Sequence, residues 1–193
     1  DYHARPSREK LAAALSALAE FHRATRDFVS PAPLDYSPGM LRRREQLAAL
    51  VGGELQRMRQ SVRPLPGWPG LEPLAHELIE LFPSCQEDVM QQLEAGCACR
   101  VPLQPCLRDI WHDHVLFNGS RVSGLVDFGA LAMESRAGDV ARLTGSLAGD
   151  DRAAWDMALS AYTAIQPLNA DEQGLVAAFD ASAVLMSGLQ WLA

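Results

Sequence analysis

A helical hydrophobic period runs along this chain and breaks once, between Val101 and Val126, where short strand-like runs replace it. Ahead of the break, Leu11, Leu15, Leu18 and Phe21 recur at helical spacing behind Ser7, a good N-cap, which predicts a helix over 8–25. A proline-rich connector follows. Ser37-Pro38 then sets a cap and a first-turn proline before a second helix of about twenty residues, with Leu47, Val51, Leu55 and Met58 on one face. Pro64, Pro66, Gly67, Pro69 and Gly70 interrupt the chain. Leu74, Leu78 and Leu81 predict a third helix ending before Pro83, and Ser84 with Glu87 forms a capping box for a fourth that stops near Gly96. Inside the break, strand-like runs at 101–107, 115–117 and 121–126 surround Asn118-Gly119, a hairpin signal. Helical spacing returns over Asp139–Leu147, Asp151–Ala164 and Asp171–Trp191, with Asn169 and Glu172 as a capping box for the last. The fold class expected is mainly α with a small β insert, α+β, without internal repeats.

With 193 residues, 48% of them hydrophobic, the chain can bury a core without disulfides or a structural metal, and collagen, coiled coil and disordered tail are excluded. No apolar run approaches the roughly 18 residues that span a bilayer, and Asp1-Tyr2-His3-Ala4-Arg5 is not the start of a signal peptide. A cytoplasmic protein with no membrane partner is expected. Cys85, Cys97, Cys99 and Cys106 are too irregularly spaced for a disulfide framework, so reduced thiols are expected. Cys97 and Cys99, with His112 downstream, lack the two-residue gap and the second pair that structural zinc wants. The net charge of -7 disfavours a nucleic-acid partner. That charge is uneven: residues 1–126 hold 14 basic and 15 acidic side chains, and residues 127–193 hold 3 and 9. The acidic last third either concentrates cationic ligands or is a solvated face that aids solubility.

The β insert carries the densest polar cluster, Arg108-Asp109-Ile110-Trp111-His112-Asp113-His114 and then Val126-Asp127-Phe128-Gly129. A carboxylate before one strand and another just after the next converge if the hairpin folds back. Phosphoryl transfer uses such a pair, one orienting and deprotonating the attacking hydroxyl and the other holding Mg²⁺. The competing reading of both aspartates is as turn or cap residues.

Asp109, the residue at 114, Asp127-Phe128-Gly129 and Asp139-Val140-Ala141-Arg142-Leu143 stand at intervals of 18 from Asp109 to Asp127 and 12 from Asp127 to Asp139. In this the sequence resembles the aminoglycoside phosphotransferase and choline kinase family, small-molecule kinases with the protein-kinase-like fold. That family's loop reads H-G-D-x-x-x-x-N, followed by a hairpin, D-[WF]-G, and a helix opened by an aspartate. Leu18-Ala19-Glu20-Phe21-His22 also resembles the family's helix after the hinge. The resemblance implies that Asp109 is the catalytic base or hydroxyl-orienting group, that Asp127 binds the metal, that Asp139 holds the loop in shape, and that Mg²⁺ and ATP take part. It further implies that residues 1–193 are the C-terminal catalytic and substrate-binding lobe.

Three positions depart from that pattern. Leu107 and Arg108 replace the His-Gly before the catalytic aspartate, and His114 stands where the second metal-binding Asn belongs. Imidazole suits Mn²⁺ or Zn²⁺ better than Mg²⁺, so either His114 ligates less well, or Asp113 supplies the oxygen, or the site is degenerate. The chain also lacks a glycine-rich phosphate loop, and its one lysine, Lys10, falls in the first turn of an amphipathic helix. The nucleotide-binding lobe is therefore expected outside this sequence, and the chain alone is expected to fold, to turn over no ATP, and to self-associate through the face that lobe covers. Three functional readings compete. The first is phosphorylation of a hydroxyl on a small, cationic, aminoglycoside-like molecule, the second a metal-dependent hydrolase built on His112, Asp113, His114 and Asp127, and the third a pseudokinase-like binding module.

Overall fold

The Ser7 hydroxyl accepts the Lys10 N–H at 3.2 Å and starts α1 (Arg8–Thr25), whose Leu11, Leu15, Leu18 and His22 fall on one buried face. In this computed structural model residues 2–28, 34–64 and 66–190 are described; the prolines of the first connector and Trp191 at the end of the last expected helix lie outside them. Ser37 caps α2 (Pro38–Ala49) by accepting the Met40 N–H at 3.2 Å, with Pro38 in the first turn. The single helix expected there is interrupted. Gly53 sits at φ 125°, a region that glycine enters readily, and the chain from Leu50 to Glu54 widens into a π-type turn before α3 (Leu55–Ser61) resumes.

The two helices expected on either side of Pro83 are one, α4 (Leu71–Ala98). An internal proline loses its N–H and crowds the Ile79 carbonyl, a cost of about 3 kcal/mol or more. Ala75, Ile79, Phe82, Val89 and Leu93, from both sides of the proline, share one buried face. Burial contributes about 1.5–3 kcal/mol for each large side chain among them, which outweighs the proline. Ser84 does not cap; it donates its hydroxyl to the Leu81 carbonyl at 2.6 Å.

The short strands form antiparallel pairs, one of which brings in a strand from ahead of α2. β1 (Leu34–Asp35) pairs with β2 (Val101–Pro102), β3 (Gln104–Cys106) with β6 (Ala132–Glu134), and β4 (Val115–Asn118) with β5 (Arg121–Leu125). Asn118 stands opposite Arg121, which leaves Gly119 and Ser120 as a two-residue turn with Gly119 at φ 63°. Three helices follow: α5 (Ala137–Ala148), α6 (Arg152–Thr163) and α7 (Ala170–Gln190). The expected capping box forms reciprocally. The Glu172 N–H donates to Asn169 Oδ1 at 2.8 Å, and the Asn169 N–H donates to Glu172 Oε2 at 3.0 Å. Glu172 also takes two bonds from the buried Arg136, at 2.7 and 2.8 Å, fastening the start of α7 to the start of α5. Helix α7 packs on α4 and α5, and α1 packs on α6, around a core that includes Leu15, Leu18, Leu93, Leu143 and Tyr162. The result is a mainly α fold with a small β insert. Among the described residues no helix is long and apolar enough to cross a membrane.

Candidate active site

Strand β3 leads into Leu107 and Arg108, whose backbone N–H groups donate to Asp139 Oδ2 and Oδ1 at 2.7 and 2.6 Å. Asp139 opens α5, is buried, and accepts a third bond from His22 Nε2 at 3.1 Å. With that nitrogen donating, His22 Nδ1 is the acceptor for the Tyr162 hydroxyl at 2.8 Å. Burial holds the Tyr162 hydroxyl above its ordinary pKa, so it keeps its proton. One buried carboxylate thus ties the loop to α1, α5 and, through His22, α6. Arg108 is held at φ 66°, where an L side chain costs roughly 1–2 kcal/mol relative to glycine.

Asp109 follows with a half-exposed side chain, and the Arg142 guanidinium donates to its Oδ1. Ile110 then anchors the loop in the core. The one-turn segment His112–His114 precedes β4 and places His114 between the two aspartates. The Trp111 indole N–H, which can only donate, reaches His114 Nε2 at 2.7 Å, so Nδ1 carries the proton and donates to the Asp109 carbonyl at 2.8 Å. Across the hairpin, Asp127 stands at φ 65°, its Oδ1 accepting the Gly129 N–H at 3.3 Å and its Oδ2 lying 3.6 Å from His114 Nε2. The fold therefore sets His114 against both the Asp109 backbone carbonyl and the Asp127 carboxylate, although 18 residues separate the aspartates in sequence.

His112 and Asp113 are placed differently. The His112 ring packs edge-on against His3 with centroids 4.2 Å apart, and its Nδ1 is buried without a hydrogen bond. Burial, and then His3, pull its pKa below the usual value. Among the described residues, neither His112 with Asp113, His114 and Asp127 nor Cys97 with Cys99 forms a group of three convergent ligands. The one triad that converges is His22, Cys106 and Asp139. It is a hydrogen-bonded buried network rather than an open metal site, because backbone N–H groups occupy both Asp139 oxygens and Cys106 Sγ donates to the Glu134 carbonyl at 3.3 Å. All four cysteines are free.

The roles of His22 and Arg142 are absent from the sequence reading, though a signal exists for each. His22 continues the Leu11, Leu15, Leu18 stripe, and Arg142 lies one turn beyond Asp139, on the same side of α5.

The family model of the phosphotransferase enzyme family matches residues 2–174. The chain belongs to that family. Among solved structures, this family member is similar to a glucosamine kinase in two crystal forms. In form A the TM-score is 0.63 at 18% identity, covering 94% of this chain and 46% of the other; in form B it is 0.50 at 16%, covering 93% and 41%. At such identities the likeness shows the fold alone, a protein-kinase-like one. The chain spans under half the length of these structures, and no curated protein matches it.

Proposed function

We propose that this chain is the catalytic and acceptor-binding lobe of an ATP-dependent kinase that phosphorylates a hydroxyl of a small molecule. The observation that carries the reading is that His114 touches both the backbone carbonyl of Asp109 and the carboxylate of Asp127, on the two sides of one hairpin, within a phosphotransferase family chain. In the proposed reaction Asp109 accepts the proton of the acceptor hydroxyl, whose oxygen takes the γ-phosphoryl group while ADP leaves. Arg142 fixes the direction of that carboxylate.

Asp127 fits a hard cation. Its side chain is more than half exposed and its Oδ2 accepts no hydrogen bond among the described residues, while the Gly129 N–H orients Oδ1. His114 fits less well, because Nε2 is a softer donor and is occupied by the Trp111 indole. Mg²⁺ held there would neutralise charge on the phosphates. The glycine-rich loop and its lysine belong, in this proposal, to a lobe outside these 193 residues. The exposed Leu116, Val126, Phe128 and Leu131 form the face that this lobe covers, and the isolated chain self-associates through it. Light scattering that finds only monomer at high concentration would count against that face.

The structural neighbour's name specifies glucosamine, an amino sugar with hydroxyls and a protonatable amine; the hydroxyl-bearing sugar is what is carried over here. Asp150, Asp156 and Asp180 of the acidic last third line a groove with Trp155 between α6 and α7. That groove shares no lining residue with the cavity bordered by Arg108 and Arg142.

In the protein carrying both lobes, Asp127→Asn is expected to weaken metal-nucleotide binding and turnover together, since a neutral amide attracts Mg²⁺ less than a carboxylate. His114→Asn supplies an oxygen ligand and is expected to retain activity with a shift in preference from Mn²⁺ towards Mg²⁺. Phosphoryl-transfer assays with both metals decide it. Loss of all metal binding in His114→Asn, with catalysis untouched in Asp109→Asn, would point instead to a histidine-built hydrolase.

A further inference from the structure

Beside the catalytic loop lies a cavity of about 220 Å³ lined by four arginines, Arg42 and Arg43 from α2, Arg108 from the loop and Arg142 from α5. Two carboxylates share the lining, Glu134 and Asp139, and both are saturated. Glu134 accepts from the Ser37 hydroxyl at 2.5 Å, the Gly39 N–H at 2.6 Å and the Ser135 N–H at 2.9 Å, while Asp139 holds the loop and His22. Asp109, the ion-pair partner of Arg142, and Asp180, whose charge acts on Arg43, stand outside the lining, so the positive character of the cavity rests on Arg42 and Arg108.

Local structure accounts for part of this set. Arg142 pairs with Asp109, and Arg43 donates to the Phe179 carbonyl at 3.2 Å and the Ser182 hydroxyl at 2.9 Å. Burial, and then the charge of Arg142, pull the Arg43 pKa down to about 10, so it stays charged at neutral pH. Among the described residues the guanidiniums of Arg42 and Arg108 have neither a hydrogen-bond nor an ion-pair partner. Arg108 borders this cavity from a left-handed backbone that would suit glycine better. Strain kept at a site edge, for a cation with no partner, calls for an anion.

We infer that the cavity takes an anionic acceptor, a hydroxyl-bearing molecule of about one sugar ring that carries a carboxylate or a phosphate. Guanidinium forks match the geometry of either group. The space falls below the roughly 300–1,000 Å³ of drug-sized sites, which suits a single ring better than a multi-ring amino sugar. With the acid group among the arginines, a hydroxyl of the ring would be presented towards Asp109, which lies just outside the lining as the sequence neighbour of Arg108 and the ion-pair partner of Arg142. The word acceptor rests on the phosphotransfer reading; binding of the anion does not.

The test is calorimetric titration of the purified chain, without nucleotide, with D-glucuronate, glucose 6-phosphate, glucosamine and inorganic phosphate. One or both acidic sugars are expected to bind more tightly than glucosamine, with affinity falling as salt rises. Whichever acid binds identifies carboxylate or phosphate as the recognised group. Arg42→Gln, at an exposed position, is expected to weaken that binding about tenfold or more. Arg108→Gly is expected to weaken it similarly while the melting temperature holds or rises, an outcome that a purely structural arginine would not give. Tighter binding of glucosamine, no binding of either acid at millimolar concentration, or equal affinity for inorganic phosphate overturns the inference. Amino-sugar phosphorylation that depends on Asp109 would uphold phosphotransfer and sink the anion; acid binding with turnover indifferent to Asp109 would do the reverse.

Discussion

Asparagine at position 109 is expected to lower kcat by about 10²- to 10⁴-fold while nucleotide affinity stays nearly unchanged, the range typical of a lost general base. The substitution is close to isosteric, and the features that shape the loop lie elsewhere. The Asp109 backbone carbonyl still accepts from His114 Nδ1, Ile110 still fills the core, and Leu107 and Arg108 still donate to Asp139. An amide oxygen can also accept from Arg142. What disappears is the carboxylate charge that draws the acceptor's proton. Steady-state kinetics of the two-lobed protein, with nucleotide binding measured separately, check the split. A fall in kcat of less than about tenfold, or an equal loss of nucleotide affinity, would remove Asp109 from the role of base.

Much of this was legible along the chain because it is local. Side-chain caps write themselves into adjacent positions, so Ser7, Ser37 and the pair Asn169 and Glu172 appear where their spacing places them. The hairpin that brings Asp109 towards Asp127 is legible for the same reason, through one two-residue turn. Features settled by packing were hidden. Pro83 reads as a stop, and only the buried face shared by Phe82 and Val89 on its two sides carries the helix through it. The Ser84 capping box failed with it, since no helix starts there.

Charge was hidden more deeply. Counting by segment places the acid in the last third, yet Glu134, Asp139 and Glu172 of that third are buried and bonded to N–H groups or to Arg136. Arg42 and Arg43 meet Arg108 and Arg142 only because α2 and α5 border the same cavity. No periodicity links those positions, so the sign of the field at the site is a property of the fold.

Asp139→Ala is expected to destabilise the chain by about 2–5 kcal/mol and to lower turnover with it. Three donors lose their acceptor at once: the N–H groups of Leu107 and Arg108, and His22 Nε2. Arg108 is only partly buried and water can reach its N–H, whereas Leu107 and His22 are shut in, and each unsatisfied buried group costs about 1–3 kcal/mol. Asparagine does not rescue the site, because its amide nitrogen would face one of the two backbone donors with a donor of its own. Tyr162→Phe provides the scale. It removes only the outer partner of His22, leaves Asp139 with all three donors, and is expected to cost about 1 kcal/mol with little effect on the loop. Urea unfolding of the wild type and the three variants measures the stabilities, and kinetics of the two-lobed protein measure the consequence. If Asp139→Ala unfolds no more easily than Tyr162→Phe, the buried carboxylate is not what holds the loop. If it unfolds easily but retains full turnover, Asp109 does not depend on the backbone that Asp139 fastens.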